Sequence, residues 1–205
     1  MTSDPAPPTM PTSRLAEGGW ERTDVSTETI FSLPTVQVQT ATAQYADAVT
    51  ADALAEARGE PFDGMLRFFA GSRLDFDPPL PPGVTPAAVG SMLRNEARRT
   101  FKKRLRERGL VDIERDGSQR LRVGDRRRAR VTKFAARIPL SGDRDLPLAC
   151  WVAPWTTSDD AVVVTGGHPQ ATLADCFGLD TDDSRLTRSP SAYREEFFSL
   201  LRTVE

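Results

Sequence analysis

His168 is the only imidazole in the chain and so the first place to look for a general base or a metal ligand. It stands alone: no carboxylate or thiol is spaced around it as a ligand set, and it follows Gly166-Gly167 and precedes Pro169, a pattern that ends a strand. Cys150 lies in an apolar run and Cys176 has no partner to activate it, so both read as inert, buried thiols. Gly166-Gly167 lacks the rest of a phosphate-binding loop. Asp180, Asp182 and Asp183 lack the glycine and closing glutamate of a calcium loop and are expected to be solvated. Trp151 and Trp155 share a face if their strand is regular. With His168 they could line an apolar pocket, although tryptophans so placed are more often core. No paired acid and base emerges, and neither a metal nor a cofactor is expected.

The other chemistry the sequence could support is electrostatic. Residues 91–140 hold 17 Lys and Arg against 6 Asp and Glu, whereas residues 1–90 hold 5 against 12 and residues 141–205 hold 5 against 11. A net charge of −2 thus conceals a basic middle between two acidic arms. Arg94, Arg98, Lys102, Lys103 and Arg106 fall on one side of a helix, and Arg120 to Arg130 crowd the segment beyond it. Such a set could hold a nucleic acid or another polyanion. Against this, the helix would turn its cations outward while Arg120 and Arg122 point away from the core that Leu121 and Val123 face. That would place the two sets on opposite sides of the domain. The preferred expectation is therefore internal neutralisation or solvation, with a polyanion surface as the alternative.

The elements that would position these residues can be traced from the spacing. Residues 1–18 are rich in Pro, Thr and Ser and are expected to form a disordered tail, with one α+β domain over 19–205. Val36 and Val38 alternate with Gln37 and Gln39 in a strand-like segment. Asp47 to Arg58 predicts a short helix with Thr50 as a cap, and 62–77 one or two strands with a possible turn at Gly71-Ser72. Thr85, Pro86 and Gly109 predict the ends of a long helix buried along Val89, Met92, Leu93, Ala97, Phe101 and Leu105. Beyond it, Asp116-Gly117 predicts a hairpin turn, and a slip in the phase of residues 128–138 predicts a bulge near Thr132. Leu148–Trp155 and Ala161–Thr165 are apolar at both parities, as in strands covered on both faces. A last helix follows Ser189-Pro190.

Strands dominate and follow one another through short turns, which gives α+β with an antiparallel sheet and helices on both faces. The length suits a single core, and no apolar run is long enough to cross a bilayer. The N-terminus lacks the pattern of a secretion signal, so the expected location is cytoplasmic.

Certain residues also carry a resemblance. Gly19-Trp20, Tyr45, Gly109-Leu110, Leu121-Arg122-Val123-Gly124, Ala149-Cys150-Trp151 and Val162 through Pro169 together resemble a family of haloarchaeal proteins of unknown function. More distantly, the order of elements is similar to PsbP/Mog1-like α/β/α sandwiches. That resemblance implies a non-enzymatic module acting through protein–protein contacts with a partner still to be defined, and it assigns no catalytic residue; an enzyme with an unrecognised site stands as an alternative beside the polyanion surface.

Overall fold

Seven antiparallel strands form one open sheet in the computed structural model, which describes residues 6–32, 37–124, 127–157 and 159–205. The strands are β1 (Trp20–Ser32), β2 (Gln37–Asp47), β3 (Phe68–Asp77), β4 (Val111–Val123), β5 (Arg127–Pro139), β6 (Asp145–Thr156) and β7 (Ala161–Pro169). Their order is β1-β2-β3-β7-β6-β5-β4, so β7 joins an N-terminal meander to a C-terminal one. The helices are α1 (Thr12–Glu17), α2 (Ala48–Arg58), α3 (Gly90–Glu107), α4 (Leu173–Phe177) and α5 (Pro190–Arg202). Among the described residues no helix is long and apolar enough to cross a membrane.

The apolar run of β6 is explained by the two-residue period of a strand. Leu146, Leu148, Cys150 and Val152 enter one buried cluster with Phe101 and Leu105 of α3. The residues between them, Ala149, Trp151 and Ala153, enter another with Trp155 and with Phe197, Phe198 and Leu201 of α5. The phase slip in β5 has the same origin and not the expected bulge. Ala129 and Val131 join the α5 cluster, whereas Phe134, Ala136 and Ile138 join the α3 cluster, and pairing with β6 is unbroken from Thr132 to Pro139. The irregularity sits in β4 instead. Asp116-Gly117 is not a hairpin turn but an extra residue inside a continuous strand, between the pairs Arg115↔Phe134 and Ser118↔Thr132. Gly117 has φ 105°, open to glycine and strained for other residues, which is why a turn-like dipeptide stands there.

Helix ends follow local chemistry. Asp47, not Thr50, caps α2: its carboxylate accepts from the Thr50 backbone N–H at 3.0 Å. The long helix begins at Gly90, five residues after Thr85, because 85–89 is spent on turns closed by Ala88 N–H to Thr85 O and Gly90 N–H to Ala87 O. Its end is as expected: Gly109 N–H bonds Arg106 O and Leu110 N–H bonds Leu105 O, with Gly109 left-handed. β3 runs straight through Gly71, where a side chain would collide with Met10 Sδ.

That contact exposes a second correction. Residues 6–18 are not a disordered tail. Thr9 and Glu205 exchange backbone hydrogen bonds at 2.6 and 3.1 Å, Met10 packs over Gly71, and Leu15 is fully buried in the α5 cluster. A polar, proline-rich composition concealed two apolar anchors. Residues 1–5 lie outside the described residues.

Candidate functional site: arginines of the β4–β5 ribbon and α3

β6 pairs with β5 only from Thr132 onward, so residues 118–123 and 127–131 form a two-stranded ribbon beyond it. Leu121, Val123, Ala129 and Val131 anchor one face of this ribbon on α5, and Gly124 N–H bonds Arg202 O at 3.0 Å. Alternation then sends Arg120, Arg122, Arg128 and Arg130 to the other face. The register makes these direct cross-strand pairs, Arg120 opposite Arg130 and Arg122 opposite Arg128, and all four are exposed. Adjacent strands lie about 4.8 Å apart and alternate residues about 6.8 Å apart, so the four backbones mark out a tight rectangle. Like charges set directly opposite one another destabilise a sheet.

Arg115 joins the same face. It lies opposite Phe134, whose ring is 6.2 Å from that of Phe101 on α3, so Arg115 points to the α3 side. Without the extra residue at Asp116-Gly117 it would point the other way. Arg130 Nε donates to Ser118 Oγ at 3.4 Å, as expected for residues sharing a face.

α3 supplies the rest. Arg94, Arg98 and Lys102 form one row of i, i+4 neighbours beside the buried stripe. Burial holds the Arg98 guanidinium below its ordinary pKa, and Arg115, Arg130 and Arg94 lower it further, so helix and ribbon cations lie within electrostatic reach. The expectation that the two basic sets face opposite sides is therefore overturned. Its premise, helix cations aimed away from the sheet, fails for the flank of α3 nearest β4 and β5.

Among the described residues, none of Arg94, Arg98, Arg115, Arg120, Arg122, Arg128 and Arg130 lies within ion-pair distance of a carboxylate. Arg98 is held by Arg94 O at 3.1 Å and by Asn95 Oδ1. Other cations of the basic stretch are paired: Arg99 with Glu96 at 2.9 Å, Lys103 with Glu107 at 3.5 Å, Arg104 with Glu28 at 2.5 Å, and Arg137 with Asp112 and Asp145. Pairing thus reaches part of the basic stretch, and the exposed ribbon arginines fall under the solvated alternative of the expectation. Lys103 leaves the candidate set, Lys102 continues the row, and Arg106 is exposed one turn further on. The tip residues Asp125 and Arg126 lie outside the described residues.

Trp151 and His168 do come together. Trp151 Nε1–H donates to His168 Nε2 at 3.2 Å, and His168 Nδ1–H donates to Pro169 O at 2.9 Å. Burial pushes the imidazole down to about 4, only partly opposed by its bond to Pro169 O. A neutral ring with both nitrogens engaged has no lone pair to act as a base. An open cleft of about 590 Å³ adjoins it, lined by Lys133, Gln170, Ser191 and Arg194 among others, but Lys133 is already bound to Asp116 at 2.6 Å. Trp155 is a core residue of the α5 cluster that does not line this cleft, and its indole N–H has no partner among the described residues. Burial pushes the Cys150 thiol up to about 12, and both cysteines are free and buried. Gly166 and Gly167 are close-packing positions: a side chain there would collide with Phe197 and Phe68.

Sequence reasoning missed one buried charge cluster. Arg67 lies between the rings of Trp20 and Tyr193, 4.6 and 4.5 Å from their centroids, and pairs with Asp47 and, at 3.0 Å, with Glu196. Trp20 Nε1–H donates to Glu196 Oε1 at 2.7 Å, and Arg188 meets Glu196 at 2.6 Å. The signal was an arginine inside the apolar run Leu66-Arg67-Phe68-Phe69, where only a paired charge can be buried. The cluster ties the start of β3 to α2 and α5 and reads as a structural latch.

No curated protein and no solved structure matches the chain. A family model does, over residues 7–205, which includes the N-terminal segment packed against β3 and α5. The chain belongs to that family, DUF6517, a domain of unknown function.

Proposed function

We propose that this protein is a non-catalytic binding module whose working surface is the arginine lattice of the β4–β5 ribbon with the adjoining α3 row, and whose ligand is a polyanion. The observation that carries this reading is the register: Arg120 faces Arg130 and Arg122 faces Arg128, with no carboxylate among the described residues to neutralise them. A fold gains nothing from like charges set opposite each other. An anionic ligand removes that repulsion. Contact with a protein partner through an apolar patch has less support. The exposed large apolar residues Val25, Val49, Val84 and Val111 stand singly on four different segments.

The reading places the lattice on one α+β domain built as an α/β/α sandwich. Alternate β6 residues entering the α3 and α5 clusters support that arrangement and the PsbP/Mog1-like likeness. The test is titration of the full chain with heparin fragments and linear polyphosphate at two salt concentrations. Binding that weakens steeply with salt and is lost in Arg98→Glu/Arg130→Glu supports the reading. No binding at low salt, or binding unchanged in that variant, overturns it.

A further inference from the structure

We infer that the polyanion is double-stranded nucleic acid, gripped through its phosphate backbone without regard to sequence. This rests on the polyanion reading of the same surface and specifies its ligand. Two observations separate a duplex from other polyanions. The first is ring burial. Proteins that hold single strands stack bases on exposed aromatic side chains. Among the residues whose side chains are described no aromatic ring is exposed, and the half-buried Phe62 and Phe177 pack on each other at 5.1 Å. The surface therefore offers single strands charge and nothing more.

The second is the density and arrangement of the cations. The ribbon presents guanidinium groups from two strands about 4.8 Å apart, and α3 adds a second row in Arg94, Arg98 and Lys102. A duplex carries one charge per about 1.7 Å of axis on two backbone strands, the denser match to a two-row surface. The ribbon is also stiffened from behind by α5, so its face is held ready for a rigid ligand. Guanidinium groups suit phosphate oxygens, the ribbon face of the lattice carries no Asn or Gln to read an adenine edge, and Asn95 on α3 is already held to Arg98. Contacts of this kind position a protein on a duplex and carry no sequence information.

The test is fluorescence anisotropy with the full chain and four probes: a DNA duplex of about 20 base pairs in two unrelated sequences, an RNA duplex, the separated single strands, and linear polyphosphate. Duplex binding at least about ten-fold tighter than single strands, equal for the two sequences, is expected. If all seven arginines engage phosphates, the plot of log affinity against log salt has a slope of about −6 on DNA duplex, and Arg120→Gln/Arg130→Gln flattens it by about 2. Arg99→Gln/Lys103→Gln, which removes cations paired with their own glutamates, leaves affinity within about two-fold and controls for net charge. Whichever duplex binds more tightly, DNA or RNA, names the source of the shared phosphate chemistry. Equal or tighter single-strand binding, a strong preference between the two sequences, or an unchanged slope in the ribbon variant overturns the inference. Polyphosphate binding without duplex preference sinks this inference and leaves the polyanion reading standing; no binding to any probe sinks both.

Discussion

Replacing Arg67 with Met tests whether the buried charge cluster holds the sheet to its helices. The substitution keeps much of the apolar bulk between Trp20 and Tyr193 but leaves Asp47 and Glu196 without their shared cation. Arg67 is 3% exposed, so little solvent can compensate. Removing one partner of a buried ion pair costs about 3–5 kcal/mol because the remaining charge stays buried. At about 2–4 °C per kcal/mol for a chain of this size, the thermal midpoint should fall by roughly 6–20 °C. The pH dependence gives a second readout. Burial alone would raise the pKa of Glu196, but Arg67, the Trp20 N–H and Arg188 outweigh it and hold the carboxyl below its ordinary value. A depressed carboxyl stabilises the fold above about pH 4.3 and loses that contribution as pH falls through its folded value. The gap between wild type and Arg67→Met should therefore be widest at neutral pH and narrow in acid. Differential scanning calorimetry at several pH values measures both. A midpoint loss under about 2 °C at pH 7, or a gap that does not narrow with acid, would refute the latch.

Two further outcomes follow from the packing. His168 gives the only imidazole signal, so NMR titration should show it near 4 instead of 6.5. The stability it contributes is complete above about pH 6.5 and lost as pH falls toward 4, amounting to about 3 kcal/mol, and His168→Gln should flatten stability across that window. Leu15→Ala should cost about 2–5 kcal/mol in chemical denaturation because Leu15 is 1% exposed within the α5 cluster, whereas a truly disordered tail would show no change.

Much of the scaffold was legible because it rests on local rules. The apolar stripe of α3, its glycine end, the doubly apolar β6 and the Ser189-Pro190 start of α5 all follow from periodicity and capping. The errors share a cause: they concern residues whose setting is decided far along the chain. Asp116-Gly117 has the composition of a turn, but β5 runs past it and makes it a bulge. Met10 and Leu15 look stranded among polar residues until β3 and α5 cover them. The cation set was visible as composition. Its convergence was not, because one extra residue in β4 decides which way Arg115 points.

The most direct test of the arginine lattice is to reverse charge at Arg120 and Arg122 together and follow stability and polyanion binding in the same samples. Each glutamate would face an arginine across the ribbon, Arg130 or Arg128, and turn a repulsive pair into an attractive one. Cross-strand pairs of opposite charge contribute roughly 0.2–1 kcal/mol each, so the thermal midpoint should rise by about 1–8 °C. Heparin and duplex binding should vanish. A fold made more stable by the change that removes its ligand is the signature of charges kept for binding. Binding retained in the double reversal, or a midpoint that falls, would contradict the account.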